Sequence, residues 1–121
     1  MTIRHVSPKD IIPGFREQVN DLFRQLNPNI QPLDINVLLE SETPPTIICC
    51  QEGEQLLGLA CMASYKVLSG HKGWVEDVVV RESSRGKGIG KALMMELLKT
   101  GKQKGLSEIL LFLYLIFPPN H

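Results

Sequence analysis

Residues 78–91 have the sequence VVVRESSRGKGIGK, in which three valines precede a polar turn that carries glycines at alternate positions. The valines are typical of a buried strand. An amphipathic helix is predicted over residues 91–104, because apolar residues recur there at helical spacing, at Leu93, Met94, Leu97 and Leu98. The glycines leave backbone N–H groups uncovered at the positive end of this helix. The segment therefore predicts a binding site for an anion such as a pyrophosphate.

Basic side chains surround the same turn. Between Arg81 and Lys104 there are seven Lys or Arg residues against two Glu residues. Over the whole chain the charges balance, with 13 basic and 13 acidic residues, so no global field attracts nucleic acid or an acidic membrane. The local excess of positive charge favours an anionic ligand at the turn.

Two common phosphate-binding loops do not fit this pattern. The glycine spacing is G-x-G-x-G, whereas the dinucleotide fingerprint requires G-x-G-x-x-G. A P-loop requires glycine five residues before Gly90 and Ser or Thr two residues after it, and the chain has Arg85 and Ala92 there.

Upstream, the pattern predicts a short strand over residues 2–6 followed by two helices. The first helix is expected to begin near Asp10, which would cap it, with Pro13 in its first turn. Its apolar residues form one helical stripe, namely Phe15, Val19, Leu22, Phe23 and Leu26. A second, shorter helix is predicted over residues 34–41.

The middle and the end of the chain are predicted to be mostly strands. Residues 46–51 and 55–66 read as a hairpin joined by a tight turn. A loop is predicted over residues 69–73, a strand over 74–81 and a last, apolar strand over 107–117. The resulting order, β-α-α-β-β-β-α-β, predicts one α/β (α+β) domain, for which 121 residues suffice.

The motif Arg85-x-x-Gly88-x-Gly90, placed between a strand and a helix, resembles the signature of the GNAT superfamily of N-acetyltransferases. The resemblance implies the GNAT-type acyl-CoA N-acyltransferase fold, with a mixed, mostly antiparallel sheet flanked by helices and a single domain over residues 1–121. It implies acetyl-CoA as cosubstrate, with no metal. It also implies that backbone groups of the loop hold the pyrophosphate while the preceding strand pairs with the pantetheine. The implied cofactor-binding residues are Val78, Val79, Val80, Arg85, Gly86, Lys87, Gly88, Ile89, Gly90 and Lys91.

Two carboxylates, Glu76 and Asp77, precede the cofactor-binding valines. Many members of the superfamily keep an acidic residue on this strand as a base, so the resemblance makes both residues candidates for catalysis. Alternation along a strand places them on opposite faces, with Glu76 on the face of Val78 and Val80. A structural hydrogen bond at the end of the strand is the alternative role. Residues 74–80 also resemble the equivalent strand of glucosamine-6-phosphate N-acetyltransferases, which does not by itself identify an amino-sugar substrate.

The chain departs from the superfamily pattern at its end. Members usually have a further helix that carries a thiolate-protonating tyrosine, and then a last strand. Here the apolar residues 109–117 occupy that place, so the domain is expected to lack both elements, as if truncated. Tyr114 lies within the apolar run and is not assigned the acid role. An uncovered apolar strand predicts pairing with a second copy, hence a homodimer.

The sequence therefore predicts a cytoplasmic N-acetyltransferase that acts on a primary amine of a small molecule or peptide. The alternative is an acyl-CoA-binding protein with little catalysis.

A nucleic-acid module has weak support, because residues 75–111 contain no aromatic side chain for stacking. No membrane partner is expected, since the longest apolar run has nine residues where a spanning helix needs about 20. Cys49, Cys50 and Cys61 have neither disulfide-framework nor zinc-site spacing, which fits a reducing compartment.

Overall fold

The structure is a computed structural model that describes residues 1–111 of the chain. It contains a six-stranded sheet in the order β1-β2-β3-β4-β6, with β5 also paired to β3. The strands are β1 (Thr2–His5), β2 (Thr46–Glu52), β3 (Gln55–Val67), β4 (Gly70–Val75), β5 (Val79–Val80) and β6 (Glu108–Leu111). The helices are α1 (Pro13–Leu26), α2 (Ile35–Leu39) and α3 (Ile89–Gln103). All described strand pairs are antiparallel except β4 with β6, which confirms the predicted mixed, mostly antiparallel α/β fold.

The two long helices cover opposite faces of the sheet. Successive β2 residues show this, because Ile47 packs in one buried cluster and Ile48 in the other. The α1 face contains the buried residues Phe15, Val19, Leu22, Ile47, Leu59 and Val79. The α3 face contains Ile48, Ala60, Met62, Val75, Leu93 and Leu97. The predicted apolar stripes of both helices therefore contribute to the core, except that Leu98 of α3 is exposed.

Helix α1 begins later than predicted, at Pro13 and not near Asp10. Asp10 lies in a short 3-10 turn, where its carboxylate accepts hydrogen bonds of 2.8 Å from the Ser7 backbone N–H and 3.0 Å from the Ser7 hydroxyl. It also pairs with Arg4 at 3.0 Å. Ser7 and Arg4 thus engage the side chain that was expected to cap α1, and Pro13 takes the first helical position, where its missing N–H costs nothing.

The loop predicted over residues 69–73 was wrong, because strand β4 already begins at Gly70. Antiparallel pairing with β3 joins Tyr65 to Lys72 and Lys66 to His71. Gly73 is needed there, since a Cβ atom at this position would lie 2.8 Å from Leu106 and 2.9 Å from the Met62 sulfur. The glycine that suggested a loop instead permits close packing within the sheet.

The last strand, predicted over residues 107–117, is described as far as Leu111. It pairs in parallel with β4, from Lys72 with Glu108 to Val75 with Leu111. The remainder of that prediction, together with Tyr114, lies outside the described residues.

Candidate active site

The strand predicted over residues 74–81 is interrupted by a bulge at residues 76–78. On one side of it Val75 pairs with Met62, and on the other Val79 pairs with Leu59. Three residues of this segment therefore oppose only two residues of β3, Ala60 and Cys61. One extra residue is the definition of a β-bulge, which bends the strand and increases its twist.

The bulge changes which face of the sheet each side chain occupies. Val75 packs on the α3 face, whereas Val79, four residues later, packs on the α1 face. In an uninterrupted strand the two would share a face. The alternation that predicted a common face for Glu76, Val78 and Val80 therefore does not carry across the bulge.

Beyond the bulge, the backbone presents polar groups on the edge away from β3. Val79 pairs with Leu59, and the Arg81 N–H donates to the Leu57 carbonyl at 2.7 Å. Because backbone groups alternate between the two edges of a strand, the N–H and C=O groups of Val78 and Val80 point to the other edge. These are the backbone groups that the sequence assigned to pantetheine.

The turn that follows exposes a series of backbone donors. Gly86 and Gly88 adopt φ angles of 84° and 77°, and Gly88 is the N-cap of α3. The first helical bond joins the Ala92 N–H to the Gly88 carbonyl at 3.0 Å. Within residues 1–111, none of the backbone N–H groups from Gly86 to Lys91 donates to another protein atom. The turn thus offers six neighbouring donors at the positive end of a 15-residue helix.

The side chains of the turn divide into two groups. Arg85, Lys87 and Lys91 are exposed and take part in no ion pair within the described residues. The Arg85 Nε atom instead donates to the Val80 carbonyl oxygen at 3.4 Å. Ile89 is buried, as is Val79, so these two residues contribute packing and offer a ligand only their backbone.

Gly58 on β3, which the sequence did not single out, holds the turn close to the sheet. A Cβ atom there would lie 3.0 Å from the Val79 carbonyl oxygen and 3.2 Å from both Ile89 and Leu93 side chains. Glycine within a strand pattern is the sequence signal for such a close approach.

A cavity of about 250 Å³ opens on the α1 face beside the bulge. Sequence patterns do not predict this cavity, because its walls come from segments that are distant along the chain. They include Val19, Phe23, Ile35, Ile47, Leu59 and Cys61, together with Asp77. Of the two predicted catalytic carboxylates, the structure thus places Asp77 at the cavity wall.

Burial and the two carboxylates shift the protonation equilibria around this wall. Partial desolvation at the wall raises the pKa of Asp77 above its ordinary value, although the residue as a whole is exposed to solvent. Burial, and then the charges of Asp77 and Glu76, raise the pKa of the Cys61 thiol to about 12. Both carboxylates therefore act on Cys61, which is a neutral thiol near pH 7.

Among residues 1–111 there is no cluster of three or more His, Cys, Asp or Glu side chains that could hold a metal ion. No helix in that range is both long and apolar enough to cross a membrane.

Comparison with known proteins gives matches at the levels of sequence and fold. The family model described as "Acetyltransferase (GNAT) family" matches residues 13–121. A glucosamine 6-phosphate N-acetyltransferase from Trypanosoma brucei brucei is 38% identical over 68 residues. That match covers 54% of this chain and 46% of the trypanosome protein, so it spans about half the length of each.

Solved structures show the same fold at lower identity. An aminoglycoside acetyltransferase from an uncultured soil metagenomic sample superposes with a TM-score of 0.79 at 19% identity, covering 92% of this chain and 76% of that one. A ribosomal-protein-alanine N-acetyltransferase from Brucella melitensis biovar Abortus 2308 gives 0.72 at 20% identity, covering 92% and 79%. An acetyltransferase from Trypanosoma brucei gives 0.70 at 25% identity, covering 92% and 81%.

Proposed function

This chain belongs to the GNAT acetyltransferase family, and we propose that it moves an acetyl group from acetyl-CoA to the primary amine of a small molecule or peptide. The observation that carries the proposal is the row of unpartnered backbone N–H groups from Gly86 to Lys91, which lies a few residues beyond the outer strand edge at Val78 and Val80. One surface thereby offers donors for a pyrophosphate and a β-type partner for an amide-bearing arm.

In this proposal the pyrophosphate of acetyl-CoA binds the loop from Arg85 to Lys91. The backbone donors supply directed hydrogen bonds, and the three exposed cations of the loop add charge. The backbone groups of Val78 and Val80 pair with the pantetheine amides. This pairing directs the thioester along the edge of β5 toward the bulge.

The proposed reaction has a simple balance. The lone pair of the neutral amine attacks the thioester carbonyl carbon, the C–S bond breaks, and an N–C bond forms. The nitrogen loses one proton and the departing CoA thiolate gains one. The thioester is already an activated acyl donor, so the reaction takes no metal. We assign Glu76 and Asp77, at the bulge, to holding the amine and accepting its proton.

We also propose that the chain works as a homodimer in the cytoplasm. The apolar sequence of residues 109–117 supports self-association, and the free cysteines fit a reducing compartment. Sedimentation velocity over a range of concentrations tests the dimer. A single monomeric species at the highest concentration would contradict it.

Thermal unfolding with acetyl-CoA, NAD and ATP, each in turn, tests the binding step. At a concentration of about 100 times its Kd, a ligand specific for the folded state adds about 2.7 kcal/mol of stability. We expect this gain with acetyl-CoA and not with NAD or ATP. Equal shifts with all three ligands, or none with acetyl-CoA, would refute the loop assignment.

Release of the CoA thiol across a panel of primary amines, with mass detection of the acetylated product, tests the transfer step. We expect release to depend on the amine. Selective acetyl-CoA binding without any acetylated amine would instead support the alternative, an acyl-CoA-binding protein with little catalysis.

A further inference from the structure

The cavity on the α1 face has an almost wholly apolar wall. Side chains of α1, α2 and the sheet form it, such as Phe23, Ile35 and Leu59. Asp77 is the only residue with a charged side chain among its described lining residues. Cys61 also reaches the wall, but as a neutral thiol. A ligand that fills this space therefore meets hydrocarbon nearly everywhere and a single negative charge at one point.

The size of the cavity limits the ligand to a small molecule. Its volume of about 250 Å³ lies below the range of about 300–1,000 Å³ that is typical of sites for drug-sized ligands. Water inside it finds few hydrogen-bond partners on the apolar wall. An apolar group that displaces this water gains the ordinary hydrophobic free energy, about 25 cal/mol for each Å² buried.

The negative charge of Asp77 at the cavity wall favours a ligand whose polar group is a cation. Asp77 forms no ion pair within residues 1–111, and burial disfavours its charged form. A cation that pairs with Asp77 compensates for lost hydration, whereas a phosphate would be repelled. No Lys or Arg residue is among the described lining residues of the cavity.

The two nearest arginines of helix α1 already have acidic partners. Arg24 pairs with Asp21 at 2.9 Å, and Arg16 with Asp34 at 3.9 Å. Neither arginine is among the described lining residues of the cavity, so neither is placed to hold the phosphate of a sugar phosphate bound there.

The position of Asp77 connects the cavity to the proposed chemistry. It lies in the bulge and directly precedes Val78, whose outer edge we assign to pantetheine. A cation held by Asp77 is therefore held beside the path proposed for the thioester.

We infer that the acetyl acceptor is a small apolar amine, whose ammonium group pairs with Asp77 and whose hydrocarbon or aromatic tail fills the cavity. This inference rests on the proposed function and names its substrate class. A sugar phosphate is the competing class, and it becomes an outcome of the test.

Calorimetric titration of the full chain with three probes tests the inference without requiring turnover. The probes are 2-phenylethylamine, its uncharged analogue 2-phenylethanol, and glucosamine 6-phosphate. We expect the amine to bind at least tenfold more tightly than either of the others. Asp77→Asn should lower the affinity for the amine at least tenfold and change the affinity for 2-phenylethanol by no more than about twofold. The matched control Asp21→Asn removes an exposed carboxylate of α1 outside the cavity and should change neither affinity.

Labelling of Cys61 locates the bound amine. Cys49 and Cys50 are fully buried, whereas Cys61 is partly exposed at the cavity wall. N-ethylmaleimide should therefore modify Cys61 first, at a rate that mass spectrometry can follow. Saturating 2-phenylethylamine should slow the modification at least fivefold, and glucosamine 6-phosphate should not.

Tighter binding of glucosamine 6-phosphate, or an Asp77→Asn variant that binds the amine as well as the unaltered chain does, would overturn the inference. Stabilisation by acetyl-CoA is measured separately and does not depend on the cavity. If acetyl-CoA does not stabilise the chain, the proposed function is refuted. If acetyl-CoA stabilises the chain but the amine titration fails, only the substrate class is refuted.

Discussion

The Nε atom of Arg85 donates to the carbonyl oxygen of Val80 at 3.4 Å, on the strand edge that we assign to pantetheine. At this length the bond is weak. Binding of acetyl-CoA can therefore break it at small cost, and the Arg85 guanidinium can then pair with the phosphates. Because a hydrogen bond to a charged group contributes about 1.5–3 kcal/mol, Arg85→Ala should weaken acetyl-CoA binding about tenfold or more at low salt. Titrations at low and high salt should show the difference narrowing as the charges are screened.

Lys99→Ala is the control for Arg85→Ala, because it removes an exposed cation of α3 that lies away from the loop. It should leave the affinity within about twofold. An Arg85→Ala variant that binds as tightly as the unaltered chain would make Arg85 a surface residue that merely closes the turn.

Gly88→Asp should abolish acetyl-CoA binding, because it places a carboxylate among the backbone donors of the loop. Gly105→Asp is a matched control at the other end of α3. The two glycines have nearly equal φ angles, 77° and 76°, and a Cβ atom at either would meet nothing within 4 Å. Both variants bear the cost of a left-handed backbone, about 1–2 kcal/mol. Thermal unfolding with acetyl-CoA should show a ligand-induced shift for Gly105→Asp alone, and a shift kept by both would contradict the assignment.

Asp77→Asn and Glu76→Gln should differ in turnover. We expect Asp77→Asn to lower kcat/KM at least tenfold and Glu76→Gln to have a smaller effect, since Asp77 lies at the cavity wall. Because burial raises the pKa of Asp77, its charge is lost at a higher pH than that of an ordinary aspartate. The acidic limb of the pH–rate profile should therefore lie at a higher pH than an ordinary aspartate would give, and it should vanish in Asp77→Asn. Equal losses in the two variants would contradict this assignment.

Asp77 should also lower the stability of the fold at neutral pH. A carboxyl group whose pKa is raised by folding contributes stability below its unfolded pKa and loses it as the pH rises through the folded pKa. Asp77→Asn should consequently unfold at a higher temperature than the unaltered chain at pH 7, and at a similar temperature at pH 3. Thermal unfolding at the two pH values measures this, and a destabilised variant at pH 7 would show that the carboxylate has a structural partner.

Asp10→Asn should destabilise the chain at neutral pH by about 1–2 kcal/mol, since it weakens charge-assisted hydrogen bonds. Burial by itself raises the pKa of Asp10, but the hydrogen bonds from Ser7 and the charge of Arg4 outweigh it, and the net pKa is lowered. The stabilisation is thus present above the unfolded pKa and is lost as the pH falls through the folded one. Urea unfolding at pH 7 and pH 2.5 should show a difference only at pH 7, and an equal difference at both would exclude the charge as its cause.

Gly58→Ala should destabilise the fold by about 1–3 kcal/mol, as is usual for an overpacked site. Its methyl group would press on the Val79 carbonyl and on two side chains of α3. Gly14→Ala is the control, for which we expect the opposite change in the free energy of unfolding. Gly14 lies on the exposed surface of α1, and no atom lies within 4 Å of the new Cβ. It should stabilise by about 0.5–1 kcal/mol, and chemical unfolding of both variants measures the contrast.

Local patterns predicted the features that depend on neighbouring residues. The spacing of Phe15, Val19 and Leu22 identified the buried stripe of α1, because helical periodicity is set within a few turns. The glycines at positions 86 and 88 likewise indicated a turn before a helix, and in the structure both adopt positive φ angles there. For Asp10 two local interactions competed, and pairing with Ser7 prevailed over capping of α1.

Local sequence patterns could not predict the bulge or the cavity, because both depend on residues that are distant along the chain. A bulge is defined by the partner strand, so residues 76–78 reveal it only when counted against Ala60 and Cys61. The cavity brings Phe23, Leu59 and Asp77 together from three distant segments. Contacts between such segments leave no periodic trace in the sequence.

The extra residue at the bulge makes the length of this segment as important as its composition. Removing any one of residues 76–78 would leave two residues opposite Ala60 and Cys61, so strict alternation would keep Val79 beneath α1 while the bend and the extra twist of the bulge would be lost. The loop beyond Val80 would be reoriented relative to the sheet, because a bulge bends the strand that contains it. A substitution at one of these positions therefore changes a side chain and leaves the length of the bulge unchanged, whereas a single-codon deletion would affect the acceptor side and the CoA side together.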